Sequence, residues 1–434
     1  MATALNPRAQ QLAPDSALFA ALGQTMITAL TGLSVVLMHL LSAMALYHFG
    51  LNYESTGGSF IEKVHPGSWL VFITFILAML GSGNPLRYLD RVLARQPGTM
   101  VFLVTWLLLL LHIIFFQKMP FTPIIDTFLM PMLLLVLLRA LSEQAKGTLA
   151  RIMHLIYFVN ALLGLYEYLT GFRLTPYTAG TLEITADWRA TSLFGHPLGN
   201  AILTGSYVVA ICCGGARELP GLLRPAMIGL QLAAMVAFGG RTSLVFTLLF
   251  VVFAGGASLF GLLRGKRINL AGVSLAMVAL PLGLAGLAVL AGSGFFDQLI
   301  QRFVDDNGSA KARLVMLHLF DLISPRDILL GPDPAFLGSL LRLEGTEYGL
   351  ESFWLATILS YGLIVSLIFF AGLFAFLRDL VVASRPGAIW VLVLFFLIAS
   401  TSVSLSAKTA VFGLIVSIML ILLRPDHKAS TLRA

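Results

Sequence analysis

The chain has 434 residues, 58% of them hydrophobic and only 11% charged, with a formal net charge of +7. A soluble globular domain carries about 25% charged residues, so this composition excludes a soluble enzyme and points to a polytopic membrane protein. The basic excess reads as anchoring against anionic headgroups, and no basic, aromatic-interleaved soluble module is present to bind nucleic acid.

Residues 1–20 are polar and Pro-containing, and the first apolar run is long enough to span, so no cleavable signal peptide is expected. A span needs about 20 mostly apolar residues. Runs that meet or approach this lie near 24–49, 67–83, 99–117, 124–142, 152–170, 197–214, 226–240, 243–263, 270–292, 351–377, 387–403 and 408–423. They predict an all-α protein of about twelve transmembrane helices, a single membrane domain over 1–434. Placing the N-terminus in the cytoplasm puts most of the 28 Lys and Arg on that side, which predicts both termini cytoplasmic. Cys212 and Cys213 are adjacent inside one predicted helix and read as packing residues, neither a disulfide framework nor a metal site.

Most connections are short, but two on the external side are long: residues 171–196, and residues 293–350 between helices nine and ten. A loop of that length is usually functional. In the second, Phe295-Phe296, Leu299-Ile300 and Phe303 have amphipathic spacing, as does Lys311 to Ile323, which Ser309 could cap. These predict short amphipathic helices on the membrane surface. A turn at Gly331-Pro332-Asp333-Pro334 and a further short helix near 335–343 follow.

Arginines at the external ends of spans are the informative interruptions, because charge there is costly unless it binds something. Arg189 opens the stretch Arg189 to Asn200 that leads into helix six. Pro197 suits a first helical turn, and backbone N–H groups there, with Arg189, could hold an anion. The plainer alternative is an arginine snorkelling beside a helix cap. Arg241, in Gly239-Gly240-Arg241-Thr242-Ser243, has almost no loop around it and must face a cavity, lipid phosphate or an acidic partner such as Glu167 or Asp126. Arg313, with Lys311 before it, lies early on an amphipathic loop helix, where a solvated polar face is the alternative. Glu351 opens helix ten. It is either a charge complementing the helix dipole or a general base for a hydroxyl group, with Glu347 and Tyr348 as further candidates. His39, His112 and His154 show no ligand spacing. Nucleotide, dinucleotide and nucleophile-elbow motifs are absent, so no ATP, NAD or metal cofactor is expected.

In these residues the chain resembles the O-antigen ligase/polymerase superfamily, which includes Wzy-type polysaccharide polymerases. The likeness lies in the order of spans, the late external loop and four short segments. Arg189 to Asn200 resembles the family's arginine–glycine–aromatic–X–Pro–Asn segment, with Leu198 where Asn is usual. Gly240 to Ser243 resembles its small–Arg–small turn. Arg313 and the following Leu330-Gly331-Pro332 turn resemble its late signature, and Glu351 through Leu363 resembles the segment opening the next helix. Many members carry His-Asn where this chain has Glu351-Ser352, which favours the exopolysaccharide polymerase branch over a lipopolysaccharide ligase. The resemblance implies a metal-independent glycosyltransferase with an undecaprenyl-diphosphate-linked oligosaccharide as donor and a second lipid-linked repeat as acceptor. Other polysaccharide assembly and export proteins would be its partners. It assigns Arg241, Arg313 and Glu351 to catalysis. Arg189, His196, Asn200, Lys311 and Tyr348 would bind substrate. An O-antigen ligase and a transporter of lipid-linked sugars stay open as alternatives.

Overall fold

The structure, a computed structural model, describes residues 13–54, 57–179, 182–185, 187–221, 223–265, 281, 285–286, 288–304, 309–346 and 350–425. The described residues are helical apart from loops and one short antiparallel hairpin, β1 (Thr178–Ala179) with β2 (Leu182–Glu183). In chain order the helices are α1 (Ala13–Leu40), α2 (Ala43–His48), α3 (Pro66–Gly81), α4 (Pro85–Arg95), α5 (Pro97–Gln117), α6 (Thr122–Ala140) and α7 (Glu143–Thr170). After the hairpin come α8 (Pro197–Gly215), α9 (Leu223–Phe238), α10 (Arg241–Leu263), α11 (Asp297–Val304), α12 (Ser309–Asp321), α13 (Pro325–Leu330) and α14 (Pro334–Leu343). The chain ends with α15 (Phe353–Tyr361), α16 (Leu363–Val382), α17 (Ala388–Ala399) and α18 (Val411–Leu422).

A recurring local device sets the helix starts: a polar residue followed by proline. His65, Asn84, His196, Ser324 and Asp333 each accept a hydrogen bond from a backbone N–H of the first turn, and a proline follows each one. The cap satisfies an otherwise orphaned donor, and proline at N1 gives up an N–H that would have had no partner.

Among the described residues, seven helices are long and apolar enough to cross a membrane, or eight if the bent pair α3–α4 counts as one span. This is a multi-pass membrane protein. The expectation of twelve spans changes in several places. The run predicted over 24–49 splits, with α1 ending at Leu40 and α2 starting at Ala43. The α3 helix stops at Gly81, and the chain turns by 112° into α4, whose residues are all exposed or half-buried. The predicted tenth helix, 351–377, breaks at Gly362, where φ is +83°. A side chain there would sit 2.8 Å from the Leu329 carbonyl oxygen, so only glycine admits this close approach. The runs at 387–403 and 408–423 form helices of 12 residues each. The run at 270–292 lies mostly outside the described residues.

The chain reads in sequence as one membrane domain but folds as two compact units. The first is Met1–His154, Leu363–Pro386 and Lys408–Ala434; the second is Leu155–Gly362 and Gly387–Ala407. Neither is continuous in sequence, so hydropathy gives no boundary. The first unit packs α5 along α16, with Phe102 against Phe369 and Phe376. There Asp379 accepts hydrogen bonds from the backbone N–H (2.7 Å) and hydroxyl (3.1 Å) of Thr99, which caps the start of α5. The second unit builds its core from α8 against α9, α10 and α17. Tyr157 and Tyr207 stack there at 4.2 Å with 1° between their planes.

Candidate functional site

Within the second unit, the last turns of α7 and α9 and the first turns of α8 and α10 come to one end of the helix packing. Glu167 organises that end. It is buried, and its carboxylate accepts hydrogen bonds from the backbone N–H of Leu174 (2.9 Å), Thr191 (2.8 Å) and Ser192 (2.8 Å). Asn160 adds a second anchor: its Oδ1 accepts from the Leu193 N–H at 3.1 Å, and its carbonyl accepts from the Ser192 hydroxyl at 2.7 Å. Two side chains of one transmembrane helix thus hold the 171–196 loop in place. Buried backbone donors need such partners.

The anchored loop delivers Arg189. Its guanidinium is forked onto Asp187, with Nε 2.8 Å from Oδ2 and 3.0 Å from Oδ1, and Nη2 2.5 Å from Oδ2. Nη2 also reaches the Tyr177 hydroxyl at 3.4 Å. The aliphatic stem lies against Gly239, where a Cβ would come within 2.8 Å of Cγ and Cδ of Arg189. Gly239 has φ +63° and ends α9, so it is required both by its left-handed backbone and by this contact.

Arg241 opens α10 two residues later, half-buried. Its Nη1 donates to the carbonyl of Arg302, and Arg302 Nη1 donates back to the carbonyl of Gly239 at 2.9 Å. Arg302 arrives on α11. That helix and the turn before it dock through Leu299 and Phe295, which are buried with Met235, Val236 and Leu244 and packed against Tyr168 and Trp188. The Tyr168 hydroxyl donates to the Phe295 carbonyl at 2.7 Å. Leu299 and Arg302 are three residues apart and therefore share a helical face, so burying the first brings the second to the turn after α9. Arg173 completes the group: it donates to the Ile184 carbonyl at 2.7 Å and lies 5.8 Å from the Tyr177 ring centroid.

The electrostatics are unbalanced. Among the described residues, Arg189 is paired with a carboxylate, Asp187, while Arg173, Arg241 and Arg302 donate to backbone carbonyls. Burial raises the Asp187 carboxyl, but its bonds with Arg189 outweigh that and hold it below the usual carboxylate range. Arg302 is depressed by burial and then by the charges of Arg189 and Arg241. Like charges held close at a half-buried position are unfavourable until an anion compensates them. The Tyr177 hydroxyl is pushed up by burial and by Asp187, and stays protonated.

Of the residues expected from sequence, Arg189 and Arg241 do come together. Arg313 and Lys311 belong to the first turns of α12, but their side chains lie outside the described residues, as does Tyr348 entirely. Glu351 is half-buried two residues before α15. His196 caps α8 by accepting from the Leu198 N–H at 3.2 Å, and its ring meets Tyr177 edge-on at 5.4 Å. Burial and the nearby Arg189 lower its pKa to about 4, so it is neutral at pH 7. Asn200 is fully buried and donates to the carbonyls of Thr191 (2.5 Å) and His196 (3.1 Å), which makes it a positioning residue for the loop. Neither acid considered as the partner of Arg241 has that role: Glu167 holds backbone, and Asp126 belongs to a different cluster. Asp126 accepts from the Tyr53 hydroxyl at 2.9 Å and the His65 N–H at 3.2 Å, while Lys408 lies 3.6 Å from the Tyr53 ring centroid. Among the described residues no group of three His, Cys, Asp or Glu is placed to hold a metal.

Sequence reading missed Arg302, Arg173, Tyr177 and Asp187. The signal for Arg302 was present, since it stands one turn after Leu299 on a helix recognised as amphipathic. No protein-family model, curated protein or solved structure matches this chain.

Proposed function

We propose that this protein is a membrane-embedded polysaccharide polymerase. It would transfer a glycan from an undecaprenyl-diphosphate-linked donor to a second lipid-linked repeat unit at the periplasmic face of the inner membrane. The observation that carries this reading is the excess, among the described residues, of guanidinium over carboxylate at one end of the second unit, together with the likeness of the Arg189 and Arg241 segments to the O-antigen ligase/polymerase superfamily. In the proposed reaction an acceptor hydroxyl oxygen attacks the anomeric carbon of the donor. The bond from that carbon to the phosphate oxygen breaks, and its electron pair leaves with the diphosphate. Glu351 takes the hydroxyl proton. Arg189, Arg241 and Arg302 neutralise the charge that grows on the leaving diphosphate, and Arg313 is assigned to the same group. Fixed charges of this kind, aimed at developing charge, need no metal and are often the largest single contribution to catalysis.

The test is the purified protein with a lipid-diphosphate oligosaccharide. Longer glycans are the expected product, and Arg241→Ala should slow their formation by about 10²- to 10³-fold. Transfer to a different lipid would make the protein a ligase, and movement of the lipid without a new bond would make it a transporter. Either result overturns the polymerase reading.

A further inference from the structure

We propose that Asp187 is an internal competitor for the arginine cluster: a carboxylate that occupies the Arg189 fork and must be displaced by an incoming diphosphate. The inference rests on the reading that the cluster holds a diphosphate, and adds how that site controls what it accepts.

Two acids meet this loop, and they differ in what they bind. Glu167 binds three backbone N–H groups and is buried, so releasing it would undo the loop. Asp187 makes every one of its described hydrogen bonds to a single residue, Arg189: three from the guanidinium and one from the backbone N–H at 2.9 Å. Releasing Asp187 therefore breaks nothing that joins one helix to another. Its side chain also retains 17% exposure, on a loop rather than a helix.

The edge of Arg189 that Asp187 occupies is the Nε–Nη2 edge, the fork that receives two oxygens of a carboxylate or phosphate side by side. Asp187 therefore occupies the donor positions a phosphate group needs. It supplies one negative charge to a group of four guanidiniums, and Arg302 still carries the unfavourable influence of Arg189 and Arg241 with Asp187 in place. A diphosphate brings more charge than Asp187 removes, whereas a singly charged anion offers no advantage over the resident carboxylate. Asp187 thus sets a threshold: it keeps the cluster closed to simple anions and yields to a multiply charged one.

The experiment uses the full chain in detergent and inorganic pyrophosphate as the probe. Asp187→Asn should bind pyrophosphate at least about tenfold more tightly than the wild type, because a charge-assisted competitor has been removed. A carboxylate with a merely structural role would give the opposite, since its loss would disorder Arg189 and weaken binding. Hydrogen exchange on the wild type gives a second readout that does not depend on the variant folding. The Arg189 N–H bonds to Asp187 and should exchange faster when pyrophosphate binds. The next amide, Ala190 N–H, bonds to the Ala237 carbonyl at 3.0 Å and should not change. Wild-type binding with unchanged or weaker affinity in Asp187→Asn, or with no faster exchange at Arg189, overturns the competitor and leaves the diphosphate site standing. Absence of pyrophosphate binding by both proteins overturns the two together.

Discussion

Replacing Glu167 by Gln and by Ala separates the two halves of its hydrogen bonding. Oε2 serves Thr191 and Ser192 together, while Oε1 serves Leu174 alone. A Gln at this position has one acceptor oxygen. Turned toward Thr191 and Ser192, it keeps two of the three backbone bonds and presents its NH2 to the Leu174 N–H, donor against donor. Ala keeps none, and strands the N–H groups of Thr191 and Ser192, both wholly buried residues. Each buried donor left without a partner costs about 1–3 kcal/mol; Leu174 is exposed, so Glu167→Gln should lose only the net worth of one ordinary hydrogen bond, about 0.5–1.5 kcal/mol, whereas Glu167→Ala, which strands two buried donors, should lose about 2–6 kcal/mol. In a unit of this size about 1 kcal/mol moves Tm by roughly 2–4 °C. Thermal unfolding of the purified variants in detergent should therefore rank wild type above Gln and Gln above Ala, with the second gap the larger. If Ala proves no less stable than Gln, the three bonds do not anchor the loop, and the account of how Arg189 is positioned fails with them.

Three further outcomes follow from the same geometry. Gly239→Ala places a methyl group 2.8 Å from the Arg189 stem and 2.9 Å from Trp188, on a backbone that costs a non-glycine residue about 1–2 kcal/mol; glycan transfer should fall at least about tenfold and Tm should drop. Arg302→Met should slow transfer by an amount equivalent to about 2–4 kcal/mol. Without ligand its Tm should stay level or rise, because Arg302 is repelled by Arg189 and Arg241; a clear fall in ligand-free Tm would refute the repulsion. The third concerns pH. Because the His196 pKa falls to about 4 in the folded protein, the unfolded chain takes up a proton there below about 6.5 while the folded chain does not. Its contribution to stability is complete above pH 6.5 and is lost as pH drops toward 4. Asn can also cap a helix, so His196→Asn should keep α8 and remove that slope, and wild-type Tm should decline relative to the variant across this window.

The sequence carried the parts of this architecture that depend on neighbours in the chain. Polar–proline pairs mark helix starts at His65-Pro66, Asn84-Pro85 and His196-Pro197, and apolar length marks α5 through α8. The Gly239-Gly240-Arg241 turn is legible because two glycines before an arginine leave no room for a conventional loop. What could not be read is what each amphipathic face covers. Leu299 on α11 and Phe295 just before it announce a buried face, but nothing in their spacing says that Met235, Val236 and Leu244 lie beneath it. Arg302 therefore joins the site through contacts spanning 63 and 61 residues, its bond to the Gly239 carbonyl and the Arg241 bond to its own carbonyl. The break at Gly362 was hidden for the same reason. Hydropathy continues unchanged from α15 into α16, and the cause is the Leu329–Gly331 turn packed against that glycine.

The division of labour among the polar side chains explains how a like-charged cluster can persist in an apolar fold. The residues that hold the loop bind backbone: Glu167 takes three N–H groups, Asn160 bonds the 192–193 backbone and side chain, and Asn200 gives both described bonds of its amide nitrogen to carbonyls. None of these spends its capacity on an arginine. Arg241 and Arg302 bond to carbonyl oxygens, which orient a guanidinium without neutralising it. Among the described residues, Asp187 alone forms an ion pair with the cluster, and it does so from a loop through a single partner. Orientation is thus built into the fold while the described carboxylates leave most of the positive charge uncompensated. That is the arrangement an anionic ligand requires if its binding energy is to be spent on charge rather than on ordering the site.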